Sequence, residues 1–276
     1  MKNQPQLIRK KDGTLQPFDQ EKYVHSLMRS GLPTDAAMQV AKDVLTHITP
    51  YTSTRELKRK THSALYRRHP EAAGRYRLKD ALMKLGPTGF PFEHLMAQLF
   101  QKKGFKTQVG IHLKGRCIAH EVDVVARAGD TAWLMECKYH NQPHLKSDVK
   151  VPLYVKSRFD DLNHQFTGLN LVYAVACNTR FSDDAMSYAR CAGIHLISWN
   201  YPVDNGLNHQ LDQYKIYPIS ILRWLHRAEL NSLFDQGIYT LQDLLKEFDQ
   251  IQTLITEPAR RQKVLDETLA LCRISH

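Results

Sequence analysis

At 276 residues the chain can hold one large domain or two to three small ones, and its 42% hydrophobic and 24% charged residues are ordinary for a globular protein. No apolar run approaches the roughly 18 residues of a membrane span, the start has no apolar signal core, and five scattered cysteines without a Cys-x-x-Cys pair argue against a disulfide framework or structural zinc. The expectation is a cytoplasmic protein with no membrane partner. The net charge of +10 is uneven: residues 1–88 hold 17 Lys and Arg against 8 Asp and Glu, residues 89–210 hold 13 against 11, and residues 211–276 hold 8 against 9. That distribution excludes an evenly DNA-coating protein and points to a polyanion, nucleic acid or nucleotide phosphate, at the N-terminal third.

In chain order, residues 7–19 predict a hairpin about the turn dipeptide Asp12-Gly13. Asp19 can cap a helix that places Tyr23, Val24, Leu27 and Met28 on one face, ended by Gly31-Leu-Pro33. A second helix is expected over about 34–48, a third from Thr54 with Ser53 or Thr54 as N-cap, and a fourth over about 70–84. The residues Ile8-Arg-Lys-Lys-Asp-Gly13, Pro17-Phe-Asp19 with Lys22, Ser53-Thr-Arg-Glu-Leu57 and Glu71-Ala-Ala-Gly-Arg-Tyr-Arg77, in that order, resemble an ATP-cone, a small module that binds ATP or dATP and regulates ribonucleotide reductases and their repressor. The resemblance implies a mostly helical nucleotide-binding domain at 1–86. Lys10, Lys11 and Lys22 would face the phosphates, and Asp19 and Thr54 would lie near the base or sugar. Basic clusters and helix starts suit phosphates on physical grounds as well.

Gly86-Pro-Thr-Gly-Phe-Pro91 reads as a linker. A helix follows from Phe92 to Lys103, with Glu93 near its start, where the helix dipole favours a carboxylate. A strand at 105–113 precedes two more. In Cys117–Ala126, Glu121 and Asp123 share a face, and in Thr131–His140, Glu136 and Lys138 share a face, because strand side chains alternate. Carboxylates and a lysine on otherwise apolar strands are costly unless they pair or bind something, and this set suggests a divalent-cation site. A long helix at about 148–165, a near-continuous apolar strand at 169–176, a Ser182-capped helix and a last strand at 194–199 complete an α/β domain with a mixed central sheet.

This order of elements, with Glu93, Glu121-Val-Asp123 and Glu136-Cys-Lys138, resembles the PD-(D/E)xK nuclease superfamily. The closer likeness is to Mrr-like restriction endonucleases, through Asn178-Thr-Arg-Phe-Ser182, Ala185, Gly193-Ile194 and Ile197-Ser-Trp199, with a likeness to Holliday-junction resolvases in the Glu-Val-Asp-Val-Val run. The resemblance implies a restriction-endonuclease-like domain at 90–205 in which Asp123 and Glu136 bind Mg²⁺. The metal would polarise a phosphodiester oxygen and generate the attacking hydroxide. Lys138 would orient that water or stabilise charge at phosphorus, and Glu93 would hold a metal-bound water or a second ion. His140 and His144 invite a zinc reading, but Pro143 breaks the helix that would pair them, and His120 should point away from the site.

From 214 onward a small helical domain is expected, with a helix from Ser220 to about Ala228 and then Gly237-Ile-Tyr-Thr240 between two helices. That turn resembles a helix-hairpin-helix DNA-binding motif, although the local charge of −1 argues against heavy phosphate contact. Together these point to an ATP- or dATP-responsive, Mg²⁺-dependent DNA endonuclease that restricts foreign or modified DNA. The alternatives are a nucleotide-sensing DNA-binding regulator that does not cut, or a repair or junction-resolving nuclease. A homo-oligomer is compatible with each.

Overall fold

A computed structural model describes residues 7–10, 12–86 and 88–272, and divides the chain into two compact units, Met1–Leu78 and Lys79–His276. The C-terminal segment lies in the same unit as the five-stranded sheet.

In the first unit, β1 (Leu7–Arg9) and β2 (Leu15–Pro17) form the predicted antiparallel hairpin. Gly13 takes φ +86° in its turn, a region that favours glycine, and Asp12 Oδ1 accepts from Thr14 N at 3.0 Å. Asp19 caps α1 (Gln20–Met28) by accepting from Lys22 N at 2.8 Å. Helices α2 (Thr34–Leu45), α3 (Thr54–Arg68, capped by Ser53) and α4 (Pro70–Leu82) follow. Ile8, Tyr23, Leu27, Val40, Val44 and Leu65 anchor the core, where Tyr23 Oη and Thr61 Oγ1 meet at 2.7 Å.

The second unit is built on a five-stranded sheet in the order β3 (Lys106–Lys114), β4 (Ala119–Ala128), β5 (Thr131–Lys138), β7 (Asn170–Cys177), β9 (Ile194–Ile197). The first three strands are antiparallel, and β5, β7 and β9 run parallel. Parallel neighbours need crossovers, supplied by α6 (Lys150–Leu162) and α7 (Asp183–Cys191). Val155, Phe159 and Leu162 of α6 and Ala185 and Ala189 of α7 bury the face carrying Val125, Leu134 and Val175. Helix α5 (Phe90–Lys102) lies on β3 and β4 with Phe92, Leu95, Met96, Leu99 and Phe100 fully or almost fully buried. Its Phe100 meets Trp133 edge to face at 5.2 Å. A two-residue pairing of β6 (Lys146–Ser147) with β8 (Arg180–Phe181) closes the end of the sheet.

The C-terminal segment contains α8 (Leu207–Gln213), α9 (Arg227–Asp235), α10 (Leu241–Lys246), α11 (Phe248–Leu254) and α12 (Pro258–Cys272). The helix expected from Ser220 is absent: a 3-10 turn spans Ile219–Ile221, and α9 starts at Arg227. Helix α12 takes the intervening backbone away from helical pairing, since Glu267 Oε2 accepts from Arg223 N at 2.9 Å and Arg260 donates to Trp224 O. Thr240 caps α10 as expected. The turn before it, however, is not an exposed phosphate-binding hairpin. Ile238, Tyr239 and Thr240 are buried, and the N–H groups of residues 237 to 241 are all taken, by Phe234 O, Leu233 O, Asp243 Oδ2 (twice) and Tyr217 O. With no amide left to donate, the turn lacks the donors a phosphate needs. Among the described residues no helix is long and apolar enough to cross a membrane, and all five cysteines are free.

Candidate active site

Strand alternation puts Asp123, Glu136 and Lys138 at one end of the sheet, on the face α6 covers. The β4–β5 pairing stops at Val124–Met135, one step short of Asp123 and Glu136. Where the strands part, Cys137 N–H would lose its partner in a largely buried place, a costly omission. Asp123 Oδ2 takes that bond at 2.7 Å. The carboxylate is thereby fixed by backbone.

Glu136 is 3% exposed, so its charge has to be met inside the protein. Lys138 Nζ reaches Oε1 at 2.5 Å and Arg158 Nη1 reaches Oε2 at 2.5 Å. Arg158 also donates to Glu121 O at 3.0 Å and to Tyr154 Oη, with its guanidinium 4.3 Å from the Tyr154 ring centroid. Glu93, in the first turn of α5, faces the same group from another element. Burial, then the charges of Asp123, Glu121 and Glu136, push its carboxyl up to about 7. Burial and the neighbouring Glu136 raise Asp123 to about 6, against the lowering bond from Cys137 N–H and the nearby Lys138 and Arg158. The site is a cluster of carboxylates with more negative charge than its two cations offset.

All four residues singled out in the sequence for chemistry are therefore brought together. Arg158 was visible only as one more residue of a helix. Yet it stands at i+3 from Val155 and i−4 from Leu162, both buried, and a charge on an apolar stripe signals a buried partner. Glu121 was noted as sharing Asp123's face, and the structure adds its charge to the cluster. Among the described residues, no three His, Cys, Asp or Glu side chains stand ready to hold a metal as they are, and Glu136 is clamped by Lys138 and Arg158. His120 turns to Asp161, 2.8 Å away, and His140 Nε2 contacts Ser147 Oγ at 3.0 Å, so neither joins the cluster.

The nucleotide residues are less concentrated. Lys11 lies outside the described residues. Lys10 follows Arg9, which bridges to Ser53 and so approaches the start of α3 at Thr54, while Asp19 and Lys22 mark the start of α1. Two cavities of about 460 and 310 Å³ open between the helices of this unit, and neither is lined by Lys10, Asp19, Lys22 or Thr54.

An uncharacterized protein of Archaeoglobus fulgidus is 35% identical over 151 residues, which make up 54% of this chain and 83% of that protein. Among solved structures, the crystal structure of a protein of unknown function, AF1548, is similar with a TM-score of 0.55 and 29% identity, covering 67% of this chain and 98% of that one. Can2 from Sulfobacillus thermosulfidooxidans in complex with cyclic tetra-adenylate is 18% identical with a TM-score of 0.34, over 45% of this chain and 34% of that one, too slight a likeness to carry weight. The Mrr catalytic-domain model, described as a restriction endonuclease, matches residues 86–200, the segment that contains α5, all five strands of the sheet and the whole carboxylate cluster. Residues 86–200 thus form a Mrr-type restriction endonuclease domain of the PD-(D/E)xK superfamily.

Proposed function

We propose that the protein is a Mg²⁺-dependent DNA endonuclease that hydrolyses phosphodiester bonds in foreign or modified DNA, under the control of ATP or dATP bound to its N-terminal unit. The observation that carries the first part is the convergence of Asp123, Glu136, Lys138 and Glu93 where β4 and β5 part. The donor set suits a hard divalent cation: Asp123 and Glu136 would hold it through oxygen, and Glu93 and Asp123, raised first by burial and then by the neighbouring carboxylates, are buried negative charge that such an ion relieves. Mg²⁺, when bound, supplies Lewis-acid polarisation of a phosphodiester oxygen and acidifies water.

The chain's own groups do the positioning. Cys137 N–H fixes Asp123, and Arg158 fixes Glu136 from the α6 side. Lys138, about one-third exposed, is the cation able to turn from Glu136 to a substrate phosphate and stabilise charge building on phosphorus. Glu93 approaches from α5 and would hold water against the reacting group.

The test is DNA cleavage with Mg²⁺ by the full chain and by Asp123→Ala, on unmethylated, methylated and junction DNAs, with and without ATP. Cleavage by the wild type alone supports the reading. If the wild type cuts none of them, the enzyme proposal fails, and a nucleotide-sensing DNA-binding regulator takes its place. The nucleotide part rests on the ordered ATP-cone-like motifs and on the basic excess of residues 1–88. Full-length protein that binds neither ATP nor dATP, or whose binding ignores Lys10→Ala and Lys22→Ala together, would remove it.

A further inference from the structure

A second recess lies on the edge of the sheet where Glu136 and Lys138 sit. In open α/β sheets, ligands gather beyond the carboxyl ends of parallel strands. Here the chain leaving β5, β7 and β9 walls a cavity of about 600 Å³, well within the range of ligand pockets. Its lining combines Lys79, Lys146 and Arg180 with Trp199 and Tyr201, and includes one carboxylate, Asp183.

Two features set this recess apart from an ordinary surface hollow. Lys146 and Arg180 are register partners in the β6–β8 pairing, so two exposed cations stand side by side on its wall. Neighbouring like charges repel, and neither forms an ion pair with a described residue, so an anion between them would relieve the repulsion. The aromatic wall is held in place from behind. Trp199 N donates to Thr179 O at 3.2 Å, Trp199 O accepts from Asn208 N at 3.2 Å, and Ser198 and Tyr201 exchange bonds of 2.8 and 3.1 Å. Lys79 lies 5.8 Å from the Trp199 ring.

The recess is tied to the candidate active site by one buried residue. Asn178 Nδ2 donates to His140 O at 2.8 Å and its Oδ1 accepts from His140 N at 2.8 Å, joining the chain just past Lys138 to the chain that becomes the pocket wall. Lys138 is in register with Cys177, and Arg180 follows three residues later, a reach of no more than roughly 11 Å. With the roughly 4.8 Å between paired strands added, and a rise of about 3.4 Å per nucleotide in a stacked strand, the recess lies within about five nucleotides of a phosphate at Lys138.

We propose that this recess is a nucleotide subsite for the DNA strand being cut: one unstacked base lies against Trp199, and its flanking phosphates lie on Lys146 and Arg180. The inference rests on the nuclease reading above and adds that the enzyme engages a locally single-stranded nucleotide beside the cleavage point. Base–aromatic stacking tolerates any sequence, so the subsite would favour frayed or unpaired DNA over a particular base.

The test measures binding, not cleavage. Without divalent cation, a fluorescent 12-nucleotide single-stranded DNA is titrated into the full chain and into Trp199→Ala, Trp199→Phe and the double variant Lys146→Ala/Arg180→Ala. Trp199→Ala is expected to weaken binding by about 5- to 100-fold while Trp199→Phe stays close to wild type. The double variant should lower the slope of log affinity against log salt by about 0.7 per lost phosphate contact. Unchanged affinity in Trp199→Ala overturns the proposal, whether or not the enzyme cuts DNA. So does competition by a free mononucleotide that matches the oligonucleotide, which would make the recess a small-ligand site. A wild type that binds the strand in this way but cuts nothing in Mg²⁺ would instead sink only the nuclease reading.

Discussion

The clamp on Glu136 can be measured as an energy. Arg158→Met keeps the aliphatic bulk and deletes the guanidinium, leaving a 3% exposed carboxylate with Lys138 alone. Breaking a buried ion pair typically costs 3–5 kcal/mol. Lys138 still supplies one partner, so about 2–3 kcal/mol is expected here. Glu136→Gln removes the charge that needs pairing, and adding Arg158→Met to it should cost little more. The double-mutant cycle should therefore give a coupling of about 2 kcal/mol or above. All three tryptophans, Trp133, Trp199 and Trp224, lie in the second unit, so tryptophan emission follows its unfolding without a signal from the first. For a unit of this size, Arg158→Met should lower Tm by about 5–10 °C. A coupling below about 0.5 kcal/mol would show that Arg158 does not hold Glu136, and its place in the site would go.

Three further outcomes follow from the same geometry. In the metal-free protein Glu93 titrates near 7 and Asp123 near 6, above their ordinary values of 4.5 and 3.8. The folded state therefore holds more protons than the unfolded one from about pH 4 to 7. Their contribution is present below that window and lost as pH rises through it. Tm should rise on acidification from pH 8 to 6. Glu93→Gln should flatten this slope and stabilise the apo protein at pH 8 by about 1 kcal/mol after allowance for solvent screening; Mg²⁺ should flatten it too, and an unchanged slope in the variant refutes the assignment. Cys117 is held above the usual thiol range by its hydrogen bond to Asp161, so Asp161→Asn should shift its alkylation profile to lower pH, with exposed Cys191 as the internal control. Thr240→Ala removes the α10 cap and the bond of 2.7 Å to Gln98, and should cost about 1–2 kcal/mol by urea denaturation.

The strands of the candidate site were legible because a period of two is rigid: once Glu136 and Lys138 are placed on a strand, they must share a face, and they touch. The apolar run at 169–176 likewise announced β7, whose second half, Ala174 to Cys177, is fully buried. What escaped depends on partners far away in sequence. Arg158 meets Glu136 across 22 positions, and nothing local says which carboxylate it serves. The segment after Ser220 has helical composition, but Arg260 and Glu267 capture its backbone from 36 and 44 residues away, an override no short window of sequence contains. The Gly-Ile-Tyr-Thr turn was read correctly as a helix–helix joint, while its burial, which decides whether it can touch DNA, came only with the tertiary structure.

That buried turn also bears on how much polypeptide the candidate site needs behind it. Gln98, two turns into α5, gives a bond of 2.6 Å to Asp243 and receives one of 2.7 Å from Thr240, and Ser220 Oγ donates at 2.7 Å to Ala81 O in the last turn of α4. The helix that presents Glu93 is thus braced from behind by residues beyond 200. The smallest stable form of this unit is longer than the matched stretch 86–200, and a fragment trimmed to that stretch would keep every side chain of the candidate site yet lose the splint that aims Glu93.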